Sequence, residues 1–279
     1  MAGPELTNPR AGRVKAARRL AKRAFRVSDG LFLAEGPQAV REAVATPGRV
    51  RELFVAAEAA RRHPEIAETA QRSGAEVYPV SGEVMAALTQ TVTPQGLVAV
   101  CTALDVPLEQ VTAARPALVA VLAHVRDPGN AGTVLRAADA AGAEAVVFSS
   151  ASVDPYNPKC VRASAGSLFH LPVVTGVPTE QSVAALRAAG STVLAADRTG
   201  GVDLDEAGDR GLLGQASAWL FGNEAWGLPE PTLADEVVRV PIHGRAESLN
   251  LAGAATVCLY ASARAQRAPG GCRSQAARR

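Results

Sequence analysis

Cysteine is scarce in this sequence, and no two cysteines lie near one another. Cys101, Cys160, Cys258 and Cys272 form no CxxC pair and have no histidine partners at the spacing of a zinc finger. Reduced thiols are therefore expected in place of a disulfide framework, and no metal site is expected.

Long apolar runs are absent as well. No stretch approaches the roughly 20 apolar residues that are needed to span a bilayer. The initial sequence MAGPELTNPRAGRVKAARRL has a charged stretch without the apolar region of a secretory signal. A cytoplasmic protein without membrane segments is therefore predicted. With 279 residues, of which 48% are hydrophobic, the chain can form one large domain or two ordinary ones.

The common nucleotide fingerprints are missing too. The sequence has no GxGxxG after a first strand, no GxxxxGK[ST] and no HExxH. These absences argue against a dinucleotide-dependent oxidoreductase and against a P-loop NTPase.

Positive charge is concentrated at the beginning of the chain. Residues 1–26 carry a net charge of +7, which leaves −5 for the rest of a chain whose net charge is +2. Apolar residues recur there at spacings of three and four, namely Val14, Ala17, Ala21 and Ala24, with Leu20 and Phe25 beside them. This pattern predicts a helix with a broad basic face. A solvated helix and a mitochondrial presequence are alternatives, but polyanion binding is favoured because clustered basic residues release counterions from phosphates.

Two changes in composition divide the remaining residues. Residues 29–100 alternate between short apolar strands and helices, including a helix through 56–73, and predict a compact α/β unit. The stretch TALDVPLEQVTAARP has two prolines and no sustained period, so it resembles a linker. Beyond it, continuous apolar strands alternate with helices, which indicates a parallel sheet covered on both faces, ending in a helix over 248–267.

Three loops after predicted strands carry polar residues. After the strand ALVAVLAHV, the residues RDPGNAGTVLRA open a helix from about Asn130, which by itself suggests an N-cap. Arg136 follows among alanines on a helix that should pack against the sheet. Since an unpaired buried guanidinium is costly, Arg136 is predicted to need an anionic partner.

The other two loops are FGNEAWGLP and VPIHGRAESLNLAGAATV. In the first, Gly222 would allow a ligand or another strand to approach closely, and Glu224 could accept hydrogen bonds or cap a turn. Trp226 is favoured as a core or interface residue over a base-stacking one. In the second, Ser248 and Asn250 stand at the start of a long helix, as helix capping requires. Parallel sheets bind ligands beyond the carboxyl ends of their strands, so the three loops together indicate one site.

These segments resemble the motifs of SpoU/TrmH-type RNA ribose 2′-O-methyltransferases of the SPOUT superfamily. The first motif resembles DPGNAGTVLRAADAAGAEAV, the second FGNEAWGL, and the third VPIHGRAESLNLAGAATVCLYA. The resemblance is close over 117–267. It is weaker over 29–100, where FLAEGPQAVREAV and TPQGLVAV resemble a small L30e-like substrate-binding domain. The segment DPYNPKCVRASAGSLFHLPV also resembles one branch of the family.

The resemblance implies an α/β fold in which a parallel-sheet SPOUT domain with a C-terminal trefoil knot follows an L30e-like α/β domain. A knot is an exception to the general topology of protein chains. The expected layout is a basic arm over 1–28, an L30e-like RNA substrate-binding domain over 29–100, a linker over 101–116, a SPOUT methyltransferase domain over 117–268 and a flexible tail over 269–279.

The resemblance also implies site residues. The knot would bind S-adenosylmethionine through Gly222, Val240 and Leu249. The catalytic residues would be Arg136, Asn130, Glu224, Ser248 and Asn250. Members of the family are homodimers with active sites at the subunit interface, so a homodimer is expected. RNA binding would involve Arg18, Arg19, Arg23 and Arg162.

The function implied is methylation of a ribose 2′-hydroxyl, with ribosomal RNA favoured over transfer RNA as the substrate. A non-catalytic RNA-binding or ribosome-assembly factor is the alternative from another class. An enzyme acting on a nucleobase or on a small molecule is a third, disfavoured by the basic arm and by the motifs.

Overall fold

A computed structural model describes residues 4–223, 227–228 and 233–273 of the chain. The predicted site residues Glu224 and Trp226 and the last six residues of the predicted tail lie outside the described residues.

Strands and helices alternate along most of the described chain. The strands are β1 (Leu31–Glu35), β2 (Val50–Ala56), β3 (Glu76–Val80), β4 (Leu97–Thr102), β5 (Leu118–Leu122), β6 (Ala145–Ser149), β7 (Val173–Val177), β8 (Thr192–Ala196), β9 (Val202–Asp203), β10 (Ser217–Phe221) and β11 (Glu236–Arg239). The helices are α1 (Gly12–Arg19), α2 (Arg23–Asp29), α3 (Pro37–Ala45), α4 (Ala57–Arg62), α5 (Pro64–Arg72), α6 (Gly82–Leu88), α7 (Leu108–Ala113), α8 (Pro128–Ala141), α9 (Pro158–Ser164), α10 (Thr179–Ala188), α11 (Leu204–Asp209) and α12 (Leu251–Arg267).

The chain forms two compact units. The first contains Met1–Leu104 together with Pro155–His170, and the second contains Asp105–Asp154 together with Leu171–Arg279. The range 117–268, predicted as one methyltransferase domain, thus includes a segment whose contacts lie in the first unit. That segment carries α9.

The first unit is built on a mixed sheet of four described strands in the order β1-β4-β2-β3. β4 is antiparallel to β1 and to β2, and β2 is parallel to β3. The apolar side of α1 packs on this unit, where Val14, Ala17 and Leu20 are buried. The residues predicted to form a separate basic arm therefore contribute to the core of the first unit.

The single helix predicted near the N-terminus is broken into α1 and α2. Arg26 is 6% exposed and donates hydrogen bonds from Nη1 to the carbonyl oxygens of Leu20 and Ala21, each at 2.9 Å. A continuous helix would pair those oxygens with the backbone N–H groups four residues later. The guanidinium of Arg26 takes the place of these N–H groups, and the helix is interrupted there. Ala24 and Phe25 are exposed, and they do not extend the apolar stripe.

The second unit confirms the predicted parallel sheet. Its seven described strands lie in the order β7-β6-β5-β10-β8-β11-β9, and each pair of neighbours is parallel. Every residue of β5, β6 and β10 is buried, as expected for a sheet covered on both faces. The indole of Trp219 donates a 2.8 Å hydrogen bond to the hydroxyl of Ser262, which joins β10 to α12. No helix in the described ranges is both long and apolar enough to cross a bilayer.

The stretch predicted to be a linker over 101–116 begins in β4 of the first unit, and from Asp105 onward it packs into the second unit. It contains α7, whose Leu108 and Val111 are buried in the core of that unit. The backbone N–H of Val106 also donates to the carbonyl oxygen of Val173 at 3.0 Å. A helix of six residues is too short to show a sustained apolar period, which is why the sequence pattern did not reveal it.

The chain crosses over one of its own strands beside β9. β8 and β9 are consecutive along the chain, yet β11 lies between them in the sheet. The connection through residues 197–201 crosses β11 so closely that a Cβ atom on Gly200 would lie 2.7 Å from the backbone nitrogen of Arg239. The guanidinium of Arg239 donates to the carbonyl oxygen of Gly200 at 3.2 Å. This crossing requires glycine at position 200.

Candidate active site

A cavity of about 1020 Å³ lies at the carboxyl edge of the parallel sheet in the second unit. Its volume is at the upper end of the range for small-molecule sites, roughly 300 to 1,000 Å³. The segments that follow β8, β10 and β11 form it. The lining includes Asp197, Arg198, Gly222, Asn223, Gly227, Leu228, Val240, Ile242, Ser248, Leu249 and Asn250.

The cavity brings together most of the residues predicted for the site. Gly222, Val240, Ser248, Leu249 and Asn250 line it directly. Leu249 is 42% exposed although it is apolar, so its side chain is available to a ligand.

Asn250 connects the cavity to Asn130. Its Oδ1 accepts a 2.9 Å hydrogen bond from the backbone N–H of Ala252 and so caps α12, as predicted. Its Nδ2 donates a 3.1 Å hydrogen bond to Oδ1 of Asn130. Each end of the Asn250 amide therefore has its own role, and the start of α12 is joined to the first turn of α8.

Asn130 is not a helix cap, contrary to the expectation from its position. Asp127 is the N-cap of α8, and its Oδ1 accepts a 2.8 Å hydrogen bond from the backbone N–H of Asn130. Pro128 occupies the first position of the helix, where its missing N–H has no cost. Because Asp127 caps the helix, the side chain of Asn130 is available to accept the hydrogen bond from Asn250.

Gly222 is required by the protein's own backbone. A Cβ atom at this position would lie 2.5 Å from the carbonyl group of Gly227 and 2.6 Å from the nitrogen of Leu228. Asn223 and Gly227 exchange two backbone hydrogen bonds, of 2.8 and 2.9 Å. The segment that approaches Gly222 closely is therefore residues 227–228 of the same chain, and these residues form part of the cavity wall.

Arg136 is exposed, so the prediction that it is buried against the sheet is wrong. The buried side of α8 is formed by neighbouring residues such as Val134, Leu135 and Ala138, and Arg136 points away from them. Within the described residues its guanidinium has no hydrogen bond and no ion pair. It is free to bind an anion that comes from outside the chain.

Two further residues shape this edge of the sheet. Asn223 is 7% exposed, and its Nδ2 donates a 3.0 Å hydrogen bond to the carbonyl oxygen of His124. His124 has φ of 59°, a left-handed conformation that is uncommon outside glycine. Its N–H is bonded to the hydroxyl of Ser149 at 3.1 Å. The position of Asn223 beside Gly222 could have indicated its role, whereas no pattern in the sequence indicated His124.

Carboxylates contribute to the cavity. Asp197 and Asp203 line it, and Glu247 forms a 3.3 Å ion pair with Arg198 at an exposed position. Exposed pairs of this kind contribute little to stability. Asp203 also pairs with Arg239 of the lining at 3.6 Å, so the lining holds only one carboxylate more than it holds arginines, a small excess of negative charge.

The four arginines predicted to bind RNA differ in their surroundings. Arg18 and Arg23 are exposed and have no hydrogen bond or ion pair within the part of the chain that is described. Arg19 forms a 2.7 Å ion pair with Asp29. Arg162 donates to Glu35 at 3.1 Å and belongs to the first unit. Only Arg18 and Arg23 are thus fully available to a phosphate.

Comparison with known proteins identifies the family. Residues 117–260 match the SpoU rRNA Methylase family, and residues 11–99 match the MRM3-like substrate binding domain. The chain belongs to the SpoU rRNA methylase family. This membership confirms the resemblance that the three motifs indicated.

Individual proteins also align with most of the chain. The 23S rRNA (guanosine(2553)-2′-O)-methyltransferase RlmP of Bacillus subtilis is 37% identical over 251 residues, which are 89% of this chain and 94% of that protein. The AdoMet-bound rRNA methyltransferase from Sinorhizobium meliloti is 31% identical, with a TM-score of 0.80, over 94% of this chain and 97% of that one. AviRb from Streptomyces viridochromogenes, in complex with AdoMet, is 31% identical with a TM-score of 0.78, over 93% and 100% of the two chains.

Proposed function

We propose that the protein is an S-adenosylmethionine-dependent methyltransferase that modifies a ribose 2′-hydroxyl of ribosomal RNA. The observation that carries the proposal is the cavity at the carboxyl edge of the sheet, which collects residues of the second and third motifs and bonds Asn250 to Asn130 of the first. Ribosomal RNA is favoured because RlmP is named as a 23S rRNA 2′-O-methyltransferase and aligns over 89% of this chain.

The proposed fold includes a trefoil knot and an L30e-like first unit. The connection 197–201 crosses β11, and the chain continues beyond that crossing into α12. Threading of this kind would distinguish the second unit from an ordinary doubly wound sheet. The match of residues 11–99 to a substrate binding domain supports a role for the first unit in RNA recognition.

The cavity fits S-adenosylmethionine in its chemistry. Val240 and Leu249 supply apolar surface, and Gly222 supplies a main-chain wall. Asp197, which has no ion pair in the described residues, leaves the lining slightly negative, as a cationic ligand requires. When it is bound, S-adenosylmethionine supplies an electrophilic methyl group on a positively charged sulfur. The protein's own tasks are therefore to align the acceptor oxygen and to stabilise the charge that develops on it.

Arg136 would perform the electrostatic part of this task. Its exposed guanidinium can bind the phosphate next to the target ribose and the developing charge on the 2′-oxygen. It would not accept the proton, because guanidinium stays protonated in proteins. The proton would pass to the phosphate or to water. Asn130, held by Asn250, would orient the ribose or the arginine, together with Ser248 and Glu224.

A homodimer would complete the site. α12 packs on α8, and it exposes Val257 at 42% and Tyr260 at 49%, two apolar side chains separated by one turn. A second copy that covered this face would lie beside the exposed Arg136 of α8.

Methyl transfer can be measured directly. The purified protein would be incubated with methyl-labelled S-adenosylmethionine and separate pools of unmodified ribosomal and transfer RNA, followed by nucleoside analysis. The proposal expects label in a 2′-O-methylnucleoside from ribosomal RNA. Label only in transfer RNA would overturn the choice of substrate. No label in either pool or in precursor ribosomal particles, with cofactor binding intact, would favour a non-catalytic RNA-binding factor.

A further inference from the structure

The first unit contains a second cavity, of about 280 Å³. It is formed by the end of β1, the start of α3, the loop between α6 and β4, and α9. None of its lining residues lines the larger cavity in the second unit. The polar side chains around it are Glu35, Gln38, Thr91, Thr93, Gln95 and Arg162.

Glu35 is a largely enclosed carboxylate at this cavity. Its side chain is 9% exposed, and its two oxygens accept hydrogen bonds from Thr91 Oγ1 at 2.5 Å and from Arg162 Nη1 at 3.1 Å. A carboxylate has about four lone-pair sites and a guanidinium has five N–H donors. The pair therefore retains both acceptors and donors that a ligand can use.

Three exposed polar side chains, Gln38, Thr93 and Gln95, lie around the ion pair of Glu35 and Arg162. A Cβ atom on Gly36 would lie 2.6 Å from Oε1 of Gln95, so glycine at this position allows the Gln95 amide to approach the start of α3. Val92 lies in the same loop and is fully exposed, although it is apolar. A ligand in the cavity would find the hydroxyl groups of Thr91 and Thr93 and the amide of Gln95 in one loop, with Val92 exposed beside them.

The turn after α9 is strained where it meets the cavity. Ala165 lines the cavity and has φ of 50°, a left-handed conformation that alanine rarely adopts. It follows directly after the helix that carries Arg162. Strained backbone persists where the surrounding structure enforces it, and it is concentrated at binding sites.

We propose that this cavity binds a single unpaired guanine of the RNA substrate, an inference that rests on the proposed function. Its charges are paired, so a neutral ligand with both donors and acceptors fits better than a phosphate or a cation. Guanine presents two adjacent N–H donors to a carboxylate and an oxygen acceptor to a guanidinium or an amide. Single-stranded RNA is commonly read through such contacts to splayed-out bases.

Fluorescence anisotropy with short RNAs tests the proposal on the full-length protein. The probes are labelled 12-nucleotide oligouridines with one central guanosine, with one central adenosine, or with uridine only. We expect the guanosine probe to bind about tenfold more tightly than the other two, the size of effect that specific contacts to a base produce. Gln38→Ala and Glu35→Gln should each reduce its affinity toward that of the uridine probe.

Gln71→Ala is the matched control, since Gln71 is an exposed glutamine on α5 that does not line the cavity. It should leave all three affinities unchanged. Unfolding midpoints would be measured for every variant, and Gln38→Ala, at an exposed position, keeps the test valid if Glu35→Gln fails to fold.

Equal affinities of the wild type for the three probes would overturn the proposal. Equal affinities of Gln38→Ala and Gln71→Ala for the guanosine probe would overturn it as well. Binding by oligonucleotides does not depend on methyl transfer. A guanosine preference without any 2′-O-methylnucleoside would therefore refute the proposed reaction and support the guanine site. Methylation without a guanosine preference would support the reaction and refute the guanine site.

Discussion

At the scale of single residues, Arg136 is the residue on which the proposed chemistry most depends. It is exposed on α8, and no partner within the described ranges restrains it. Its replacement should therefore affect catalysis and leave folding unchanged.

Arg136→Ala should lower kcat for methyl transfer by about a hundredfold or more, in the range seen when a group that stabilises transition-state charge is removed. Arg136→Lys should recover only part of the rate, because the ammonium lacks the planar pair of donors. Steady-state kinetics over a range of pH would measure both. Arg61→Ala, at an exposed position on α4, is the control and should match the wild type. Near wild-type activity of Arg136→Lys would contradict a requirement for the guanidinium.

His124 offers a test of backbone strain. Its φ of 59° is easily adopted by glycine and is unfavourable for residues with a Cβ atom. His124→Gly should therefore have a free energy of unfolding about 1 kcal/mol greater than that of His124→Ala, which keeps the strain. Denaturant unfolding would measure the difference. Equal stabilities would mean that the conformation at position 124 is not strained.

The thiols also differ at this scale. Burial raises the pKa of Cys258 to about 12 and raises the pKa of Cys101 further. Cys160 is also buried, whereas Cys272 is partly exposed and has a more modestly raised pKa. Since the thiolate is the reactive form, iodoacetamide at pH 8 should label Cys272 first and should label all four cysteines only after denaturation. Mass spectrometry would follow the labelling, and rapid labelling of Cys258 in the native protein would contradict its burial.

The sequence predicted the structural roles of some site residues correctly and those of others wrongly. Of the two residues predicted at the start of the last helix, Asn250 caps it, whereas Ser248 lies before the cap because the helix begins at Leu251 and not at 248. A polar residue directly before an apolar period is a useful signal for the cap. Asn130 was assigned a cap that belongs to Asp127, three residues earlier. Arg136 was placed on the buried side of α8 because its neighbours are alanines, and alanine occurs on either side of a helix.

At the scale of secondary-structure elements, the start of α12 combines a structural role with a functional one. Asn250 caps the helix through Oδ1 and bonds Asn130 through Nδ2. Two substitutions can separate these roles.

Asn250→Asp keeps an oxygen that caps α12 and removes the donor to Asn130, so it should retain stability and lose methyl-transfer activity. Asn250→Ala removes both and should also lower the free energy of unfolding by about 1 kcal/mol, the usual contribution of an N-cap. Thermal unfolding and methyl-transfer assays on both variants would measure this. If Asn250→Asp proved fully active, the bond to Asn130 would have no role in the reaction.

Whether a helix or strand could be predicted from the sequence depended on its length and its burial. The strands of the second unit are continuous apolar runs and were found, whereas α7, β9 and α11 are too short to show a period. The helix predicted through 56–73 is divided into α4 and α5. Pro64 is the cause, because the residue before a proline is disfavoured in the helical conformation.

At the scale of the whole molecule, the segment Pro155–His170 returns to the first unit after the second has begun. Its contacts there include the hydroxyl of Tyr156, which accepts a 2.7 Å hydrogen bond from the backbone N–H of Leu104, and the ion pair of Arg162 with Glu35. Local sequence patterns show that α9 is a helix. They do not show which unit it packs on, because that depends on partners more than 50 residues away.

The crossing of residues 197–201 over β11 has a consequence for synthesis on the ribosome. β8, the crossing segment and β9 leave the ribosome before β11 exists, so any early native-like arrangement of β8 and β9 must keep a space one strand wide, about 10 Å between these two flanking strands. β11 is translated after both strands and then enters the sheet between β8 and β9. Val240, Leu249 and Asn250 follow it, so the ligand cavity can form only after β11 and the start of α12 have been translated.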